Sequence, residues 1–123
     1  MLVLYCYPTC GTCKKAKQWL KTHDIEFTER QIAETPPTKE QLRAFQKASG
    51  LPLKKFFNTS GKHYRDQGMK DKLKNAPEDK WLDWLAADGM LVKRPIAVDG
   101  DAVTIGFNET DFEKTWLNKA AKK

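Results

Sequence analysis

The sequence has 123 residues, of which 40% are hydrophobic and 31% charged, a length suited to one compact domain and a composition unlike that of a disordered chain. Its 22 basic and 16 acidic side chains leave a formal charge of +6, which suits anionic ligands or an acidic partner surface. Apolar runs such as Gly89-Met90-Leu91-Val92 fall far short of the roughly 20 residues that cross a bilayer, so a soluble, cytoplasmic protein with no membrane partner is expected.

Leu2-Val3-Leu4-Tyr5-Cys6 is a short apolar run closed by Pro8, which predicts a buried strand running into a loop. From Cys13 onward, Cys13, Ala16 and Leu20 recur at helical spacing with Lys14, Lys15 and Lys21 opposite, predicting an amphipathic helix to about Thr22. A second strand is expected from Ile25 to Ile32, where Ile25 and Phe27 alternate with charged residues. Thr38-Lys39-Glu40-Gln41 reads as a capping box that starts a helix carrying Leu42 and Phe45.

Gly50, Pro52 and Asn58-Thr59-Ser60-Gly61 interrupt that pattern, with the last cluster read as a turn, and a weak helical stretch follows to about Leu73. Pro77 is placed in the first turn of the clearest helix, whose apolar face is Trp81, Leu82, Trp84 and Leu85 and whose stop is Gly89. Both tryptophans are assigned to the core. Pro95–Val98 and Ala102–Ile105 flank Asp99-Gly100, which predicts an antiparallel hairpin. Asn108 is set to cap a last helix bearing Phe112 and Trp116, and the end Lys119–Lys123 is expected to fray.

The chemistry concentrates in Cys10-Gly11-Thr12-Cys13, between a predicted strand and a predicted helix. In that context a Cys-x-x-Cys reads as a redox pair, because a helix N-terminus favours a thiolate through its unsatisfied N–H groups and dipole. Cys10 is the expected nucleophile, with Lys14 and Lys15 adding positive potential. Cys13, one helical turn away and less exposed, is the expected resolving thiol. Gly11 is read as letting the backbone turn without a Cβ clash, and Thr12 as small enough to leave the sulfur accessible. Cys6 is read as a small buried hydrophobe.

Zinc needs four ligands, usually from two knuckles, and one knuckle is present, so no metal and no cofactor are expected. The basic side chains are mostly lysines, the arginines being Arg30, Arg43, Arg65 and Arg94, which points to a solvated surface and away from direct nucleic-acid binding.

Three groups of residues together carry a family resemblance. They are Tyr7-Pro8-Thr9-Cys10-Gly11-Thr12-Cys13-Lys14-Lys15-Ala16, Phe56-Phe57-Asn58-Thr59-Ser60-Gly61 with Tyr64-Arg65, and Leu91-Val92-Lys93-Arg94-Pro95-Ile96 followed by Val103-Thr104-Ile105-Gly106-Phe107. Over nearly its whole length the chain resembles the arsenate reductase/Spx family. The resemblance implies an α/β, thioredoxin-like fold with a mixed four-stranded sheet and an all-helical insertion between strands 2 and 3. It implies one domain over 1–123, with a core at about 1–33 and 90–118 and the insertion at about 36–89.

It further implies a cis Pro95 beside the redox loop, with Gly11, Thr12 and Pro95 contacting substrate and Arg94 joining Cys10 and Cys13 in catalysis. In the family's arsenate reductases three arginines surround the nucleophilic cysteine. Arg94 matches one, Asn58 stands where a second is expected, with Arg65 nearby in sequence, and no arginine follows Arg94. Two functions follow from the resemblance. One is a monomeric thiol–disulfide oxidoreductase re-reduced by a small thiol or a glutaredoxin/thioredoxin-type protein. The other is an Spx-like redox-sensing regulator that binds the C-terminal domain of the RNA polymerase α subunit.

Overall fold

The computed structural model describes residues 2–7, 10–59 and 61–117. Pro8 in the loop, Ser60 in the turn and the lysine-rich end Lys119–Lys123 lie outside the described residues. Four strands form one sheet: β1 (Leu2–Cys6), β2 (Phe27–Gln31), β3 (Ile96–Asp99) and β4 (Ala102–Ile105). Their order is β2-β1-β3-β4. Strand β1 pairs in parallel with β2, Leu4 opposite Glu29, and antiparallel with β3, Leu4 opposite Ala97. This is the mixed sheet the resemblance implies.

The chain divides into two compact units, Met1–Gln31 with Arg94–Lys123, and Ile32–Lys93. In the first, α1 (Gly11–Thr22) and α6 (Glu109–Phe112) lay their apolar sides on one face of the sheet. Leu2, Leu4 and Ala97 supply the sheet side of that core, and Ala16, Trp19, Leu20, Phe112 and Trp116 the helix side. Trp19 meets Phe112 edge-on at 5.3 Å, and the buried Trp116 indole donates to the Thr104 hydroxyl at 3.1 Å, so the indole hydrogen is satisfied inside the core. Asn108 caps α6 by accepting from the Asp111 amide at 3.2 Å. The helix then widens into a π-helical turn over Glu113–Leu117, which spacing alone did not foretell.

Strand β2 is shorter than expected. Its residues Thr28, Glu29 and Arg30 are exposed, and Ile25 packs against the core from the preceding loop. It is one of the two edges of the sheet, and its charged residues suit that position. The hairpin between β3 and β4 turns through Gly100 and Asp101, with Gly100 at φ 60°, a conformation glycine adopts without a Cβ penalty.

The second unit holds α2 (Lys39–Ser49), α3 (Lys62–Asp66), α4 (Met69–Lys74) and α5 (Glu78–Ala87), with short 3₁₀ turns at Leu53–Phe56 and Gly89–Leu91. The capping box forms as read: the Thr38 hydroxyl accepts from the Gln41 amide at 3.1 Å, and the Gln41 side chain accepts from the Thr38 amide at 2.9 Å. Helix α2 packs on α5, and Lys39 bridges to Asp79 and Asp83 at 3.0 and 2.9 Å, with Arg43 also on Asp79. Among the described residues no strand lies in the insertion, where Phe57 and Val92 form one isolated antiparallel bridge.

Three local expectations need correction. Pro77 is the residue before α5, not in its first turn, because its ψ of 157° is extended. Trp81 and Trp84 are half-buried, while Leu82 and Leu85 carry the buried face; the helix turns the smaller side chains inward. Gly89 does not end α5 as a left-handed cap. Asp88 takes the C-cap position, and its carboxylate accepts from the Met90 amide at 2.9 Å to start the next 3₁₀ turn.

Gly89 is required for a different reason. A Cβ there would lie 2.0 Å from the Ile32 carbonyl oxygen, a backbone atom with little freedom to withdraw. Gly89→Ala is therefore expected to destabilise the protein by about 2–4 kcal/mol in urea denaturation. Gly11→Ala, where a Cβ meets nothing within 4 Å, should change stability by less than about 0.5 kcal/mol. Equal effects of the two substitutions would refute this account.

Candidate active site

Register places the site. In the β1–β3 pairing Val3, Leu4 and Tyr5 face Val98, Ala97 and Ile96, so the chain just before β3 comes to the end of β1 where the cysteine loop leaves. The Arg94–Pro95 peptide is cis, as the resemblance implied, and the Pro95 carbonyl accepts from the Gly106 amide at 2.8 Å. The Arg94 guanidinium lies over the Tyr7 ring, 5.3 Å from its centroid, a cation–π arrangement that steers the head group toward the loop.

From Tyr7 the chain turns into α1, the Cys10 amide donating to the Tyr7 carbonyl at 3.0 Å. The helix begins at Gly11, earlier than the spacing indicated, which makes Cys10 its N-cap. The sulfur there does what a serine or aspartate oxygen commonly does at a cap, accepting from the Cys13 amide at 3.4 Å. Gly11 and Thr12 form the exposed start of the first turn. Gly11 is not at positive φ and a Cβ there would meet nothing, so the expected conformational need for glycine does not exist at this position.

Cys6, Cys10 and Cys13 are all free thiols, and their environments differ sharply. Burial acts to raise the pKa of Cys10, but the Cys13 amide and thiol and the Arg94 guanidinium all donate to its sulfur, and together they hold it below the ordinary thiol value. Cys13 is fully buried, and burial above all, with its hydrogen bond to Cys10, pushes its thiol up to about 12. At neutral pH Cys10 is thus the thiolate-prone member and Cys13 a protonated donor to it. Lys14 and Lys15 are exposed and are not among the groups that set the Cys10 shift; the positive charge comes from Arg94.

Cys6 is also fully buried and pushed up to about 12, first by burial and then by its hydrogen bond to Glu29. Glu29 accepts as well from Lys17 at 3.3 Å and Gln31 at 2.7 Å, and these contacts hold its carboxyl below the ordinary range against the opposing effect of burial. Sequence reasoning found Cys6 but missed its tie to Glu29, which follows from the parallel register that sets Glu29 beside β1. It also missed Tyr7 as the platform for Arg94, because the β1–β3 pairing that brings them together joins strands far apart in sequence.

Cys10, Cys13 and Arg94 are therefore brought together, with Gly11, Thr12 and Pro95 on the segments that carry them. Asn58 and Arg65 belong to the helical unit. Asn58 forms a turn, its amide donating to the Leu91 carbonyl at 2.8 Å and its carbonyl accepting from the Gly61 amide at 3.0 Å, while Arg65 is exposed on α3. Among the described residues no group of three or more His, Cys, Asp or Glu side chains is placed to hold a metal ion. No described helix is long and apolar enough to cross a membrane.

The site yields a pH-dependent test. Because the Cys10 pKa is lowered, alkylation by iodoacetamide should reach half its maximal rate at a pH below that of a free cysteine, about 8.5. Arg94→Gln removes a charged donor, so the midpoint should move up and the rate at pH 7 should fall severalfold. An unchanged profile would show that Arg94 does not govern this thiol.

Comparison with known proteins agrees with this geometry. The ArsC family profile matches residues 5–115. The chain is 56% identical to the uncharacterized protein YusI of Bacillus subtilis (strain 168), over 94% of this chain and 98% of that one. It is 32% identical to the global transcriptional regulator Spx of Enterococcus faecalis, covering 93% of this chain and 85% of the regulator. Among solved structures, an ArsC family related protein from Bacteroides fragilis superposes with a TM-score of 0.89 at 44% identity, covering 92% of this chain and 95% of that chain. A possible arsenate reductase from Streptococcus mutans gives 0.84 at 39%, covering 98% of both. With its mixed four-stranded sheet of thioredoxin-like type and its match across most of the sequence, this chain belongs to the ArsC family.

Proposed function

We propose that the chain is an arsenate reductase-like thiol–disulfide oxidoreductase in which Cys10 is the nucleophile, Cys13 the resolving thiol and Arg94 the support for anionic charge. The observation that carries this reading is the opposed tuning of two neighbouring thiols, one lowered by donors including Arg94 and the other raised by burial. A nucleophile needs its thiolate at neutral pH, whereas a resolving thiol serves best if it stays protonated until its partner has reacted. Similarity to the possible arsenate reductase from Streptococcus mutans supports the same reading.

With arsenate, the Cys10 thiolate would attack arsenic and displace water, forming a sulfur–arsenic(V) bond. Arg94 and the exposed first-turn amides of Gly11 and Thr12 would hold the oxygens, and the backbone at Pro95 would flank the substrate. Once Cys10 is bonded it no longer carries the charge that helps keep Cys13 protonated, so Cys13 ionises more readily. Its thiolate then attacks the Cys10 sulfur; the sulfur–arsenic electron pair passes to arsenic, which leaves as arsenite, and a Cys10–Cys13 disulfide remains. A small thiol or a glutaredoxin/thioredoxin-type protein would return two electrons. No cofactor takes part in this scheme.

Intact-mass and thiol mapping of reduced protein exposed to arsenate, peroxide or buffer tests the scheme. Arsenate-dependent loss of two hydrogens, located at Cys10 and Cys13, is the expected result. Cys10→Ser should abolish it, and Cys13→Ser should stop at a Cys10 adduct or a mixed disulfide with added thiol. A disulfide formed with peroxide alone would move the assignment to a redox switch, and no Cys10–Cys13 disulfide under any condition would overturn both.

A second reading is favoured by the similarity to the regulator Spx. In that reading the same thiol pair senses oxidants in an adaptor that contacts the C-terminal domain of the RNA polymerase α subunit. Retention of reduced or oxidised protein on that immobilised domain is expected if it is right; retention of neither excludes it.

A further inference from the structure

Within the helical unit, a cavity of about 300 Å³ is lined by Lys54, Tyr64, Lys70, Leu73, Lys74 and Trp81. Its apolar floor is held in place before any ligand arrives. Phe57 meets both Tyr64 and Trp81 in edge-on contacts, at 6.1 and 6.2 Å between ring centres, and the Trp81 indole donates to the Ala76 carbonyl at 3.0 Å. Trp81 stays half-buried, which leaves part of its ring to the cavity.

The rim is cationic and unneutralised. No acidic side chain lines the cavity. In the same unit Lys39 pairs with Asp79 and Asp83, and Arg43 with Asp79. Among the described residues Lys54, Lys70 and Lys74 form no such pair, although they come from the Leu53–Phe56 turn and α4 and converge on one opening.

We propose that this cavity receives an acidic segment of a partner protein, seating one aromatic side chain of that segment on the Tyr64–Trp81 floor while flanking carboxylates meet the three lysines. The volume sits at the lower end of ligand sites and fits one ring rather than an extended ligand. Charge complementarity fixes the sign of the occupant and the aromatic floor fixes its anchor. A nucleic acid fits less well, since no arginine lines the opening and the floor has room for one aromatic ring rather than a row of successive bases. The proposal is independent of the thiol chemistry, so Cys10→Ser protein should bind as the wild type does.

The test is fluorescence anisotropy with the labelled, end-blocked peptide Asp-Glu-Phe-Glu-Asp, its Phe-to-Ala form, its Asn/Gln form and a single-stranded DNA oligomer. The expected result is saturable binding of the first peptide that weakens between about 50 mM and about 300 mM salt. The exposed pair Lys70→Glu and Lys74→Glu should weaken it at least about tenfold. The Ala and Asn/Gln forms should bind weakly, and an equal charge change at exposed Lys21 and Lys114 should alter affinity by less than about threefold. The proposal fails if the acidic peptide does not bind, if the two charge-reversed proteins behave alike, if the Ala form binds equally well, or if only the DNA binds through Lys70 and Lys74.

Discussion

Strand β1 pairs in parallel with β2 on one side and antiparallel with β3 on the other, and the placement of every reactive group follows from this double pairing. The antiparallel partner brings Arg94 beside the loop that leaves β1, so Arg94 meets Tyr7 and reaches Cys10. The parallel partner sets Glu29 within reach of Cys6. The helix on top completes the arrangement, because its first free amide groups and the Cys10 sulfur coincide only when α1 starts at Gly11. Leu2, Leu4, Trp19 and Phe112 fix that helix on the sheet, and the thiol geometry depends on their packing.

Three cysteines within eight positions of sequence acquire different chemistry from burial and donors alone. Cys6 and Cys13 lie where water cannot solvate a thiolate, and both are pushed up to about 12. Cys10, partly open and at a helix start, gathers donors from its own turn and from Arg94. The electrostatic difference between solvated and buried sulfur thus separates three identical side chains into one thiolate-prone thiol and two that stay protonated.

Arg94 at the thiol bears on the two proposed readings of the site. Holding an oxyanion calls for several fixed donors, and within the unit that carries the thiols Arg94 is joined by helix amides. Redox sensing asks only for a tuned thiol and a partner thiol. The two proposed readings therefore differ in what Cys10 reacts with and in what the protein binds.

Much was legible in the sequence because it is local. The capping box at Thr38, the hairpin around Gly100 and the Asn108 cap each follow from a few adjacent residues whose hydrogen bonds close within one turn. The Cys10-to-Cys13 spacing likewise set two thiols one turn apart at a helix start. Tertiary structure decided what sequence spacing does not encode: which cation faces Cys10, Arg94 instead of Lys14 or Lys15; why Gly89 is glycine, through its approach to Ile32; and which side of α5 is buried, Leu82 and Leu85 instead of the tryptophans. Each of these depends on residues far apart in the chain meeting at one point, and that meeting is set by strand register and packing rather than by neighbouring residues.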